Sequence, residues 1–261
     1  MDIKHCPRSA DIHFVIMSAS PVPRDLPWRA RDSMNRLMVF SAIYLILACL
    51  GPVLGFYALR LYPKGAVNRI FFAATICLTL WALGLSVAVV APDAQSAALW
   101  SRVAAAGHVS IYSLMLHFVL LLIGSRHLPD EKWLLIPLYL PAAVLMYALV
   151  LSPGVARLSG HYEFTAGGWF RSGAPTVYDT LFQAYALIMV LGSLGLLWRW
   201  GRGSDRPEIR KQAWVLTASF AAAFVLGPLA DALNRTFFRL PVPPTTPIFF
   251  LIPVTGIFFC V

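Results

Sequence analysis

The sequence predicts an all-α integral membrane protein, a bundle of seven transmembrane helices with the amino terminus outside and the carboxyl terminus in the cytoplasm. Three observations lead there. Hydrophobic residues make up 59% of the 261 and charged residues only 13%, outside the usual range of soluble chains. Apolar runs of about twenty residues recur from Leu37 onward, the length a helix needs to cross roughly 30 Å of hydrocarbon at about 1.5 Å per residue. Lysine and arginine are also unevenly shared between the two sets of connecting loops. Arg60, Lys64, Arg69, Arg126, Lys132, Arg199, Arg202, Arg206, Arg210 and Lys211 fall on one side, and Arg102, Arg157, Arg171, Arg235 and Arg239 on the other. Basic residues favour the cytoplasmic side, which puts the amino terminus outside. The six basic residues of the first 36 argue the other way if that tail is real, so orientation and start site are linked.

Residues 1–36 differ from the rest. They mix charges with prolines, and their one apolar patch, His13 to Met17, is too short for a signal-peptide core. A flexible tail and sequence outside the natural product both fit. Translation from Met34 would give MNRLMVFSAIYLILACLG, which enters the membrane almost at once and leaves Arg36 as the only outer charge ahead of the first span.

From residue 37 to 261 a single membrane domain follows. Its first span is Leu37–Leu59, with Gly51 and Gly55 at the small-xxx-small spacing that lets helices approach closely and Pro52 between them. The second covers Ala66–Ala91 and the third Ala98–Gly124. The fourth covers Trp133–Leu151, with Pro137 and Pro141 inside. The fifth is Val177–Trp198, the sixth Ala213–Leu233 and the seventh Pro243–Val261. Prolines inside spans predict kinks whose freed carbonyls neighbouring helices can satisfy. Trp100, Trp133, Trp169, Trp198, Trp200 and Trp214 lie near span ends, as in an aromatic belt. The one long connection, Ser152 to Thr176, is outer, and Gly167-Gly168 is placed to turn a short hairpin. A lid over the bundle and an ordinary connection are both open for it.

The third span is the most informative. Ionisable groups at membrane depth are costly and usually face protein or water, so each is a site candidate. His108 and His117 are nine residues apart, on opposite faces of a straight helix, and cannot share one metal. Arg102, His108 and Tyr112 are roughly co-facial, and Asp179 and Asp231 fall at the outer ends of the fifth and sixth spans. These five make a candidate ligand pocket in the outer half, set against structural ion pairs and snorkelling side chains. Arg102 and Asp231 are expected on facing surfaces of the third and sixth helices, paired directly or through water, with His108 about two turns deeper and able to report pH.

Several functions are excluded. There is no HExxH, GxSxG or P-loop, and no carboxylate pair lies inside a span. The seventh span has no lysine for a retinal Schiff base, and no cofactor or metal is implied. The net charge of +9 sits in short loops between spans, so the partner it implies is membrane lipid and not nucleic acid. Cys49, Cys77 and Cys260 fall in spans and Cys6 in the tail, which suggests no disulfide.

Trp81, the Leu99-Trp100-Ser101-Arg102 run, Gly107 and Leu116-His117-Phe118 carry a resemblance. So, more weakly, do His161-Tyr162, Arg210, Gln212 and the proline-marked seventh span. Together they resemble the amino-terminal seven-helix sensor region of bacterial membrane histidine kinases and related diguanylate cyclases, from about Leu37 to Val261. The resemblance implies a non-enzymatic input module in the bacterial inner membrane, acting in a two-component or related system. It relays an extracytoplasmic or membrane stimulus through its last helix to a cytoplasmic kinase or cyclase effector, fused or separate and expected outside this chain, with a homodimer as a further expectation. The alternative is a small multi-pass transporter or channel subunit, which internal repeats or paired broken helices would favour.

Overall fold

The computed structural model describes residues 28–124, 133, 135–151, 161–165, 168–172, 176–233 and 243–260. Helix α1 is Trp28–Leu61, α2 is Ala66–Val89 and α3 is Ala94–Leu122. Then come α4, Leu135–Met146, which runs into a π-helical turn at Tyr147–Leu151, and the strands β1, His161–Thr165, and β2, Gly168–Ser172. Helices α5, Val177–Arg202, and α6, Pro207–Leu233, precede the short α7, Thr246–Phe249, and α8, Leu251–Cys260. Five of these are long and apolar enough to cross a membrane; Leu135–Val150 and Thr246–Ile257 are shorter apolar helical stretches. Sixteen residues rise only about 24 Å, less than the usual hydrocarbon thickness.

Helix boundaries depart from expectation where local chemistry extends them. Helix α1 begins at Trp28, upstream of Leu37, because no proline interrupts the chain between Pro27 and Pro52. Helix α3 begins at Ala94, where Asp93 caps it by accepting from the Ser96 N–H at 2.8 Å. Helix α6 begins at Pro207, a residue suited to the first helical position. The seventh apolar segment is broken between α7 and α8. Pro253 has no N–H to give the carbonyl four residues earlier, and the break falls at Phe250, next to that carbonyl. Residues 1–27, and with them most of the expected tail, lie outside the described residues, as does Asn234-Arg235-Thr236, a run that fits a glycosylation sequon.

Close approach organises the first three helices. A Cβ on Gly84 would stand 2.5 Å from the Ala104 backbone nitrogen, and one on Gly107 would stand 2.6 Å from that of Trp81. These are backbone atoms that cannot yield, so α2 and α3 meet at two points where only glycine fits. Gly51 and Gly55 likewise abut Thr75 and Thr79 of α2, which gives the small-xxx-small spacing a partner. Polar groups between α1 and α2 are tied across the two helices. Ser41 and Ser86 hydroxyls each donate to the other's carbonyl at 2.8 Å, and the Asn68 amide donates to the Ala58 carbonyl at 2.6 Å.

Tyr44, Phe71, Phe118, Phe220 and Phe250 are fully buried, while the outward face of α1 is apolar, with Ile46 60% and Val53 63% exposed. Such a surface belongs against hydrocarbon, not water. At one end of the bundle, Trp198 and Trp214 pack edge to face at 4.7 Å with the Arg202 guanidinium 4.5 Å from the Trp198 ring centre.

The hairpin covers the other end. Its strands pair antiparallel, Thr165 opposite Gly168 and His161 opposite Ser172. Gly168 has φ +97°, a conformation glycine adopts without strain, and sits against the Val89 carbonyl. The Trp169 indole donates to the Ala91 carbonyl at 2.8 Å, and Arg171 pairs with Asp179 at 2.5 Å. The hairpin is thereby fixed to the end of α2 and the start of α5.

Candidate functional site: a cavity at the hairpin end

His108 and Tyr112 are four residues apart, about 40° around a helix, so they share the inner face of α3. His108 Nε2 lies 3.0 Å from the Tyr112 hydroxyl. Trp81 of α2 stacks on the His108 ring at 3.9 Å and 15°, and Phe182 of α5 meets it edge-on at 4.9 Å. Phe250, in the break between α7 and α8, packs edge-on against Trp81 at 5.2 Å. Close α2–α3 contact at Gly107 and Gly84 is what brings Trp81 near enough to stack.

This cluster borders a cavity of about 600 Å³. Helices α2 and α3 contribute Trp81, Ser101, His108 and Tyr112. Helix α5 adds Phe182 and Gln183, and α6 adds Pro228 and Asp231. Pro244 and Thr246, where the last helical segment begins, complete the wall. The volume is that of a small-molecule site.

Asp231 acts across elements. Its carboxylate accepts from the Thr245 N–H at 2.6 Å and hydroxyl at 2.8 Å, and from the Thr246 N–H at 3.4 Å and hydroxyl. It therefore caps the start of α7 from α6. The buried Tyr44 hydroxyl of α1 adds a second anchor, donating to the Pro244 carbonyl at 2.5 Å.

Three of the five expected pocket residues, His108, Tyr112 and Asp231, thus line one cavity. Arg102 and Asp179 do not. Arg102 borders a separate depression with Asp93, Gln95 and Ser96. Arg102 and Asp231 make no direct salt bridge, and among the described residues Arg171–Asp179 is the salt bridge present. The reason is angular. Six residues carry Arg102 about 120° from His108, enough to turn it out of the cavity. Asp179 is taken up in a capping box, accepting from the Thr176 N–H at 2.7 Å while Thr176 Oγ accepts from the Asp179 N–H at 3.3 Å.

Deeper in the bundle is a second polar junction. Ser113 donates to the Leu138 carbonyl at 2.6 Å and lies 2.7 Å from the Tyr185 hydroxyl, joining α3, α4 and α5. His117, on the face opposite His108, bonds through Nδ1 to the Tyr139 hydroxyl at 2.7 Å.

A family model described as the N-terminal 7TM region of histidine kinase matches residues 43–261. The chain belongs to this family. It is a multi-pass membrane protein, and the matched region is an amino-terminal one, not a catalytic domain, which supports a membrane sensor module. No curated protein matches the chain.

The residues that carried the resemblance hold distinct places in this 7TM region. Trp81 is in the cavity wall, and Gly107 and the Trp100 carbonyl lie at the α2–α3 contacts. Phe118 packs in the core against Phe71 at 6.3 Å, and His117 is bonded to Tyr139, away from the cavity. Sequence reasoning missed Phe182, Gln183 and Thr246 as lining residues. The Thr245-Thr246-Pro247 run carried a usable signal, since threonine before proline marks a helix start whose N–H groups need an acceptor.

Proposed function

We propose that this chain is the signal-input module of a bacterial inner-membrane signalling protein. It crosses the membrane seven times, with the hairpin end outside and the carboxyl terminus in the cytoplasm. Stimulus reaches the cavity, and the last helix carries the response to a cytoplasmic kinase or cyclase effector. The observation that carries this reading is the shared wall: Pro244 and Thr246 of the last segment line the same cavity as His108 and Tyr112 of α3. An occupant touches the polar centre of the bundle and the start of the output helix together. It shifts the balance between two helix arrangements by contacting them unequally, which is all a ligand needs to do.

Charge supports the orientation. Arg60, Lys64, Arg69, Arg199, Arg202, Arg206, Arg210 and Lys211 all lie toward the end opposite the hairpin. A reporter active only in the cytoplasm is expected to work when fused after Val261 and to fail when inserted after Gly168. The reverse pattern would put the cavity on the cytoplasmic side and end the outside-to-inside reading.

A further inference from the structure

The cavity's chemistry narrows what it binds, on the reading just given that it is the stimulus site. Among the described residues lining it there is one carboxylate, Asp231, and no lysine or arginine. That is unexpected in a chain of net charge +9. The nearby Arg102 borders a different depression. Among the described lining residues an anion would meet Asp231 with no basic side chain to offset it; a cation would meet opposite charge. The rings of Trp81, Tyr112 and Phe182 form part of the same wall, and aromatic faces attract cations through their quadrupole.

Asp231 also constrains the type of cation. A carboxylate offers about four lone-pair directions, and here Thr245 and Thr246 supply four donors to them. Its charge still acts on the cavity, but its acceptor positions are taken. A primary ammonium, which must replace three hydrogen bonds to water, finds no open position on Asp231 and would depend on Ser101 and Gln183. A cation whose nitrogen is wrapped in alkyl groups needs none of those bonds and gains from both the charge and the rings.

We infer that the cavity bordered by Trp81, Tyr112, Phe182 and Asp231 binds an alkylated ammonium group, carried by a free amine or by a lipid headgroup. The direct test is calorimetry on the full chain in nanodiscs of phosphatidylethanolamine and phosphatidylglycerol, with empty nanodiscs as baseline. The probes are choline, its neutral carbon isostere dimethylbutanol, and the anion dimethylbutanoate. Choline is expected to bind about tenfold or more tighter than dimethylbutanol, with no binding of the anion. Asp231→Asn should erase that preference. Phe182→Leu, which leaves the Asp231 cap intact, should weaken choline severalfold and leave dimethylbutanol unchanged.

Exchanging phosphatidylethanolamine for phosphatidylcholine separates the two sources. Loss of choline binding assigns the lipid headgroup and unchanged binding a free amine, and either result upholds the cation class. Failure of choline to bind, or equal or tighter binding of the neutral or anionic probe, overturns it. The stimulus-site reading is judged separately, by the effect of Ala105→Trp on output from a kinase fused after Val261. A change there with no choline binding removes the ligand class alone, whereas no change removes the reading beneath it.

Discussion

Gly107→Leu is expected to leave little folded protein, with a loss of at least about 3 kcal/mol. The new side chain would have to occupy space held by the Cys77 carbonyl and the Trp81 backbone nitrogen. Overpacked cores usually relieve strain by rotating side chains, but here the obstacle is the main chain of α2, which has no rotamers. Separating α2 from α3 would also unstack Trp81 from His108, so the cavity would go with the fold. The control is Gly195→Ala on α5, where nothing lies within 4 Å of an added Cβ. That change should be neutral or raise stability by up to about 1 kcal/mol, since glycine in a helix interior costs that much relative to alanine. Thermal unfolding of the two variants in one detergent makes the comparison.

Asp231→Ala is the second large effect, at about 3 kcal/mol. It leaves the N–H groups and hydroxyls of Thr245 and Thr246 without their acceptor at the start of α7. These bonds are part-buried, and donors that lose their acceptor there cost more than the bonds themselves contributed wherever water does not replace it. Asp231→Asn keeps one acceptor oxygen and should cost less, and Thr246→Val, which removes one hydroxyl, should cost about 1 kcal/mol. Arg102→Gln should not rescue Asp231→Asn, because no direct pair joins the two side chains and they border different cavities. The same denaturation series measures all four.

How much of this was legible follows from how far each feature depends on one segment. The His108–Tyr112 alignment was, because a four-residue spacing fixes it whatever surrounds the helix. Arg102 failed because a six-residue spacing was read too generously; 120° is a third of a turn. Asp179 carried its own explanation, as Thr176-x-x-Asp179 is a capping-box spacing, and the local reading beats the pocket reading when both are available.

Other features needed more than one segment. The Asp231 contact with Thr245 and Thr246 joins elements fourteen or more residues apart, so periodicity within either gives no hint of it. Phe182 was invisible for a simpler reason. An apolar residue in a membrane helix carries no mark of whether it faces lipid, core or cavity. A helical membrane protein was plain because composition and hydropathy act over the whole chain, although five of the seven expected spans are long enough to cross by themselves among the described residues. The hairpin was plain because glycines punctuate the one long connection, with Gly168 opening β2.

The central claim is that the cavity controls the last helix. The most direct measurement is the autophosphorylation rate of a histidine kinase transmitter fused in phase after Val261, with the cavity filled by Ala105→Trp. The control carries the same bulk at Ile188, 66% exposed on the outward face of α5. With insertion and thermal midpoint matched, Ala105→Trp is expected to shift the rate severalfold and Ile188→Trp to leave it unchanged. Equal rates in both variants and the parent fusion would contradict the claim.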